Sequence, residues 1–130
     1  VLAENTLFVL DEQGRDVSAF ARYSWSNGLA TPVSRTWNIG VQVRGPLASR
    51  PDDVLMIGTV YGGLSSGYRS TQAANGNPTA ASEDVLEIAW RAAITRYFAV
   101  QPVAQWTRHP GGGADAERAT VLGVRLQLVL

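Results

Sequence analysis

The side chains here best suited to chemistry are charged or amide groups set at every second or fourth position. Glu87 and Arg91 are four residues apart in an alternating segment. In an extended strand they share one face at a separation of roughly 13 Å. That is too far to bond each other easily, but each can reach a group on a neighbouring strand. Arg22, Arg44 and Arg125 occupy polar positions of three other alternating segments, and Gln42, Gln105 and Gln127 fall on the same kind of face. A guanidinium donates, a carboxylate accepts and an amide does both. The set therefore reads either as solvated surface charge or as a lining for a polar, hydroxylated solute.

Covalent chemistry is poorly served. The single histidine, His109, sits beside Pro110 and a run of three glycines, in what reads as a flexible loop. Nucleophilic catalysis needs a base held by a partner, and none stands near it in the sequence. Gly111–Gly113 lacks the following Gly-Lys-Ser/Thr of a phosphate loop. Asp52 and Asp53 follow Arg50-Pro51 and read as turn capping with an ion pair at a rim, since calcium would need more oxygen ligands. With no cysteine there is no disulfide framework and no thiolate metal site. No cofactor and no metal is expected. The formal net charge of +0 carries no nucleic-acid footprint. All 11 basic residues are arginine, which keeps its charge when partly desolvated and suits a confined polar channel.

The elements that must position these groups are strands. A two-residue period fits better than a helical one throughout, with 13 Gly and 6 Pro as punctuation, and no helix is expected. Seven strands are predicted over Leu2–Leu10, Val17–Ser26, Thr36–Gly45, Asp53–Leu64, Glu83–Ile94, Phe98–Arg108 and Ala119–Leu130. The connectors Asp11–Asp16, Pro46–Asp52 and Thr95–Tyr97 are short. Asn27–Arg35, Ser65–Ser82 and His109–Arg118 are longer and richer in small polar residues. The two kinds alternate, so all short turns fall at one end of the sheet and all long loops at the other, as in an outer-membrane barrel.

The faces separate strand by strand. Trp37, Ile39, Val41 and Val43 oppose Asn38, Gly40, Gln42 and Arg44. Leu86, Ile88, Trp90, Ala92 and Ile94 oppose Glu83, Glu87 and Arg91, and Leu122, Val124, Leu126 and Leu128 oppose Arg125 and Gln127. Tyr23, Trp25, Trp37, Tyr61 and Trp106 lie on greasy faces near the long-loop end, while Tyr97 and Phe98 mark a short turn. This is the two-belt pattern of a membrane barrel. Mean hydropathy is −0.03, and no run approaches a membrane helix, but a barrel buries only alternate residues in lipid. Pro102 cannot donate to a ladder, so a bulge is predicted there.

In order along the chain come Ala21-Arg22-Tyr23-Ser24-Trp25-Ser26-Asn27-Gly28, then Val43-Arg44-Gly45-Pro46-Leu47 leading to Arg50-Pro51-Asp52-Asp53-Val54-Leu55. Next are Val85-Leu86-Glu87-Ile88-Ala89-Trp90-Arg91, Gln101-Pro102 with Gln105-Trp106, Pro110-Gly111-Gly112, and Val121-Leu122-Gly123-Val124-Arg125-Leu126. Together these resemble the C-terminal part of the carbohydrate-selective porins of the OprB family. The resemblance implies an all-β, antiparallel transmembrane barrel of roughly sixteen strands, in the outer membrane of a Gram-negative bacterium. It also implies passive, facilitated diffusion of small sugars such as glucose, without catalysis. The family pattern includes the proline at Pro102. Two departures are noted: the chain ends in Leu130, where an aromatic residue is usual, and seven strands are less than half a barrel.

The expectation is therefore that residues 1–130 form the C-terminal part of one barrel domain, with Arg22, Arg44, Glu87, Arg91 and Arg125 lining the lumen and Gln42, Gln105 and Gln127 supporting them. Its partners would be small sugars, outer-membrane lipid and the remaining N-terminal strands, with no nucleic acid. The alternative is a soluble small β-barrel or sandwich that binds a small ligand.

Overall fold

A computed structural model of the protein describes residues 2–10, 14–28 and 31–129. Leu130 and half of the first predicted turn, residues 11–13, lie outside them. The chain forms one sheet in which every strand pairs antiparallel with its sequence neighbours, in the order β1 to β7. The strands are β1 (Leu2–Val9), β2 (Asp16–Trp25), β3 (Val33–Arg44), β4 (Val54–Leu64), β5 (Ser82–Thr95), β6 (Phe98–Arg108) and β7 (Ala119–Leu128). These match the predicted strands to within about a turn's width at each end.

Register settles which residues share a face, because directly paired residues point the same way. Arg44 pairs with Asp16 and Val54, Val54 with Arg91, and Gln101 with Arg125. One face therefore carries the polar set and the other carries the apolar set, as the alternation predicts.

The exposure pattern is inverted relative to a water-soluble protein. Its few buried apolar residues, Ala89 at 1%, Ala99 at 2% and Val103 at 9% exposure, are small and sit on the polar face. The large apolar residues of the other face are open: Leu122 is 78% and Leu126 67% exposed, and Ile39, Ile57, Leu86 and Trp106 are exposed with them. A continuous apolar face of this kind needs a non-aqueous neighbour. From Trp106 to Phe98 it runs for roughly 26 Å of strand, or roughly 20 Å in height after barrel tilt, close to the apolar band of an outer-membrane barrel. Among the described residues the strands form neither a sandwich nor a closed barrel, so the soluble alternative has no core to rest on.

At the long-loop end of this face, Trp37 stacks on Tyr61 with ring centroids 5.4 Å apart, and Arg35 donates to the Tyr61 hydroxyl at 3.3 Å. This pair is thus packed, with a polar handle on the Tyr61 hydroxyl. At the other end Arg96 lies over the Tyr97 ring, 4.5 Å from its centroid.

Three expectations need correction. A helix does form: α1 (Ser66–Ala74) lies in the loop between β4 and β5, and Pro110–Gly112 makes a single 3-10 turn. The buried Ser65 side chain caps α1 by accepting from the Tyr68 N–H, while Gly76 takes a positive φ just beyond its end. Pro102 makes no bulge. The β5–β6 ladder skips the pairs at Pro102 and Gln101, but Ala89↔Val103 and Ala92↔Val100 keep one register across the gap. Proline costs the ladder a donor without shifting it. The loop-length contrast is also narrower than expected. It rests on residues 65–81 and 109–118, since the outer connector 26–32 is no longer than the inner turn 45–53.

Candidate functional site

The polar face brings most of the expected residues together in three groups. In the first, Glu87 on β5 and Gln105 on β6 are directly opposed, and the Gln105 amide donates to the Glu87 carboxylate. Arg125, one strand further, approaches the same carboxylate at 3.9 Å. The result is an acceptor, an amide and a guanidinium within reach of one another across three strands.

The second group is Arg91. Its Nε donates to Gln127 Oε1 at 3.0 Å and its Nη1 to the Asp52 carbonyl at 3.5 Å. Both acceptors are neutral, so the bonds orient the guanidinium without offsetting its charge. Arg44 forms the third, facing Asp16 at 3.7 Å with its own side chain 56% exposed. Arg44 and Arg91 line a common cleft of about 620 Å³ with Asp52 and Arg96. Arg22 and Gln42 lie on the same face but join none of these groups among the described residues. Sequence reasoning missed Asp16, Arg96 and the Asp52 carbonyl, because their partnerships depend on register and turn shape.

Phe20 also points inward. A Cβ added to Gly40 would come within 2.5 Å of its ring, so Gly40 gives that ring a place to lie flat on the sheet.

The short turn before β4 holds the most fully paired carboxylate. Asp53 is 1% exposed and accepts from Arg50 Nε at 2.6 Å, Arg50 Nη2 at 3.1 Å, Trp90 Nε1 at 2.8 Å and the Ala93 N–H at 2.9 Å. The Arg50 hydrogen bonds lead the causes that hold its carboxyl down at about 2, against an ordinary 3.8, and outweigh the cost of burial. The expected rim ion pair is therefore present. It does more than cap a turn, because it fastens β5 to the β3–β4 connection and satisfies an outward-facing tryptophan.

His109 adopts a left-handed backbone, φ 50°, and its Nδ1 is buried without a hydrogen-bond partner among the described residues. Its loop, read as flexible from sequence, is tied down: Gly111 N–H donates to Glu83, Ala80 N–H to the Gly112 carbonyl, and Ala114 N–H to the Pro78 carbonyl. No group of three potential metal-ligating side chains occurs among the described residues, and no helix there is long and apolar enough to cross a membrane. The arrangement is equipped to exchange hydrogen bonds along a polar wall.

A family model described as carbohydrate-selective porin, OprB family, matches residues 2–130. Porin B of Pseudomonas aeruginosa is 24% identical over 131 residues, an alignment covering 91% of this chain and 29% of that protein. The chain thus spans less than a third of the length of this curated relative. A high-pH structure of Pseudomonas putida OprB superposes with a TM-score of 0.86 at 22% identity, covering 98% of this chain and 34% of that one. At that identity the likeness speaks for the fold.

Proposed function

The chain belongs to the OprB family of carbohydrate-selective porins, and from that premise we propose that its sheet forms part of the wall of a barrel through which small neutral sugars diffuse passively. The family is one of transport channels in the Gram-negative outer membrane. The sheet has free edges at β1 and β7. Unpaired backbone groups in hydrocarbon cost several kcal/mol each, so further strands must close the barrel. In this reading residues 1–130 are one part of a single barrel domain, and lipid covers the face bearing Leu122 to Leu128.

The observation that carries the reading is the inverted sheet, with large apolar side chains exposed on one face and a hydrogen-bonded polar network on the other. A sugar entering a narrow pore gives up water and needs replacement donors and acceptors. Glu87, Gln105 and Arg125 offer both kinds within reach of one another, and Arg91 with Gln127, Arg44 and Gln42 offer more toward the inner end. Arg22 lies toward the outer end of β2. Sugars carry no charge, so pore width and hydrogen-bond geometry select among them. Each contact must also be weak enough to release the solute. Nothing in this account requires a nucleophile, a base or a cofactor.

The test is sugar flux through the closed barrel that contains this chain, reconstituted in liposomes. Arg91→Ala or Arg44→Ala is expected to change glucose flux roughly fivefold, the equivalent of one net hydrogen bond of about 1 kcal/mol. Unchanged flux in both variants would remove these arginines from the sugar path.

A further inference from the structure

We infer that the long-loop mouth of the pore carries a separate binding pocket for a monosaccharide, built between Tyr68 of α1 and the Pro110–Gly112 turn. The inference rests on the porin reading above and adds a site away from the Glu87–Gln105–Arg125 network.

The pocket lies on the polar face. Thr36, Val60, Glu83 and Val85, which contribute to its lining, project from β3, β4 and β5 on the lumen side, while Tyr68 and Gly112 are brought over them by two different loops. Its volume is about 310 Å³, at the low end of the roughly 300–1,000 Å³ typical of small-ligand sites. Val60 and Val85, which face the same way as Asn38 and Thr107, make an apolar floor between the polar groups of Thr36 and Glu83. A pyranose is amphipathic in the same sense: its ring C–H groups form an apolar face and its hydroxyls a polar edge. An aromatic ring and valines can hold the first, while a threonine hydroxyl, a carboxylate and glycine carbonyl oxygens bond the second.

Both walls are fixed before any ligand arrives. Tyr68 is in the first turn of α1, with its N–H held by the buried cap Ser65, whose own N–H donates to the Pro32 carbonyl at 2.7 Å. Opposite, Gly111 N–H donates to Glu83 at 2.5 Å, and Gly112 packs so closely on Leu64 that an added Cβ would fall 2.7 Å from its Cδ1. A carboxylate has about four acceptor positions, so Glu83 can serve both the loop and a sugar hydroxyl. Preorganisation of this kind lowers the ordering cost of binding.

The test uses ion current through single closed barrels containing this chain, with glucose added on the long-loop side. Tyr68→Ala and Tyr68→Leu are both expected to raise the half-blocking glucose concentration roughly threefold or more while leaving the sugar-free conductance as it was. Tyr68→Phe should stay close to the unsubstituted protein. Leucine keeps apolar bulk in the loop, so it separates loss of the ring from loss of packing. The inference is overturned if Tyr68→Leu leaves the half-blocking concentration unchanged, or if only the sugar-free conductance moves, which would make Tyr68 a loop-packing residue. Block retained in the Tyr68 variants contradicts the pocket alone. Absence of both block and sugar passage in the unsubstituted barrel contradicts the porin reading with it.

Discussion

Asp53 shows how much a single residue can hold in this fold. Its carboxylate receives four hydrogen bonds, from Arg50, Trp90 and Ala93, at almost no exposure. Removing it in Asp53→Ala strands the Trp90 and Ala93 donors and is expected to cost about 2 kcal/mol or more, read as a lower unfolding midpoint in detergent. The same pairing sets a pH dependence. Because the folded carboxyl is held near 2 instead of 3.8, its stabilisation is complete above about pH 5 and is lost as pH falls through 4 toward 2. Asp53→Asn should flatten that acid limb, and identical acid profiles for the two proteins would contradict the assignment. The Arg50–Asp53 pair was legible from its spacing at a turn. Trp90 as a third member was not, since only the β4–β5 register brings it there. The same divide runs through the residues proposed to line the lumen. Alternation alone places Glu87, Gln105, Arg91, Gln127 and Arg125 on one face, but which of them bond is decided by pairing between strands.

Elements were legible where their period is local and hidden where their signals are dispersed. All seven strands were predicted, though alternation leaves the faces of β1 ambiguous and those of β4 less clear than the rest. Helix α1 escaped because Gly67, Ser70 and Asn75 give its segment the composition of a loop, although Ser65 as cap and Gly76 beyond the end are helix signals in hindsight. Ser65→Ala removes the cap, which is expected to cost about 1 kcal/mol locally. The cost should appear as faster proteolysis within residues 65–81, with the strands still protected. No change in that loop's cleavage would mean that the Ser65 N–H bond to the Pro32 carbonyl, and not the cap, holds the helix. Pro102 illustrates the opposite error. A missing donor suggested a bulge, yet neighbouring pairs on both sides hold the register. A gap in the ladder is cheaper than a shift that would turn the greasy face of β6 toward water.

At the scale of the whole molecule, the proposed function puts lipid on one side of the sheet and water on the other. Its belt of Trp37, Tyr61 and Trp106, its exposed leucines and its bonded polar wall are mutually consistent in a barrel and inconsistent in a soluble domain. This inversion was legible because a two-residue period reports both faces at once. The further strands lie beyond any local pattern. The absence of cysteine allows a direct test by single cysteine substitutions along β7, in the closed barrel in a bilayer. With a membrane-impermeant thiol reagent, Val121→Cys, Arg125→Cys and Gln127→Cys should be labelled, while Leu122→Cys, Val124→Cys and Leu126→Cys should resist until the bilayer is dissolved. Equal labelling of the two sets, or labelling of the leucine side alone, would contradict the claim that the polar face of this sheet lines a water-filled path.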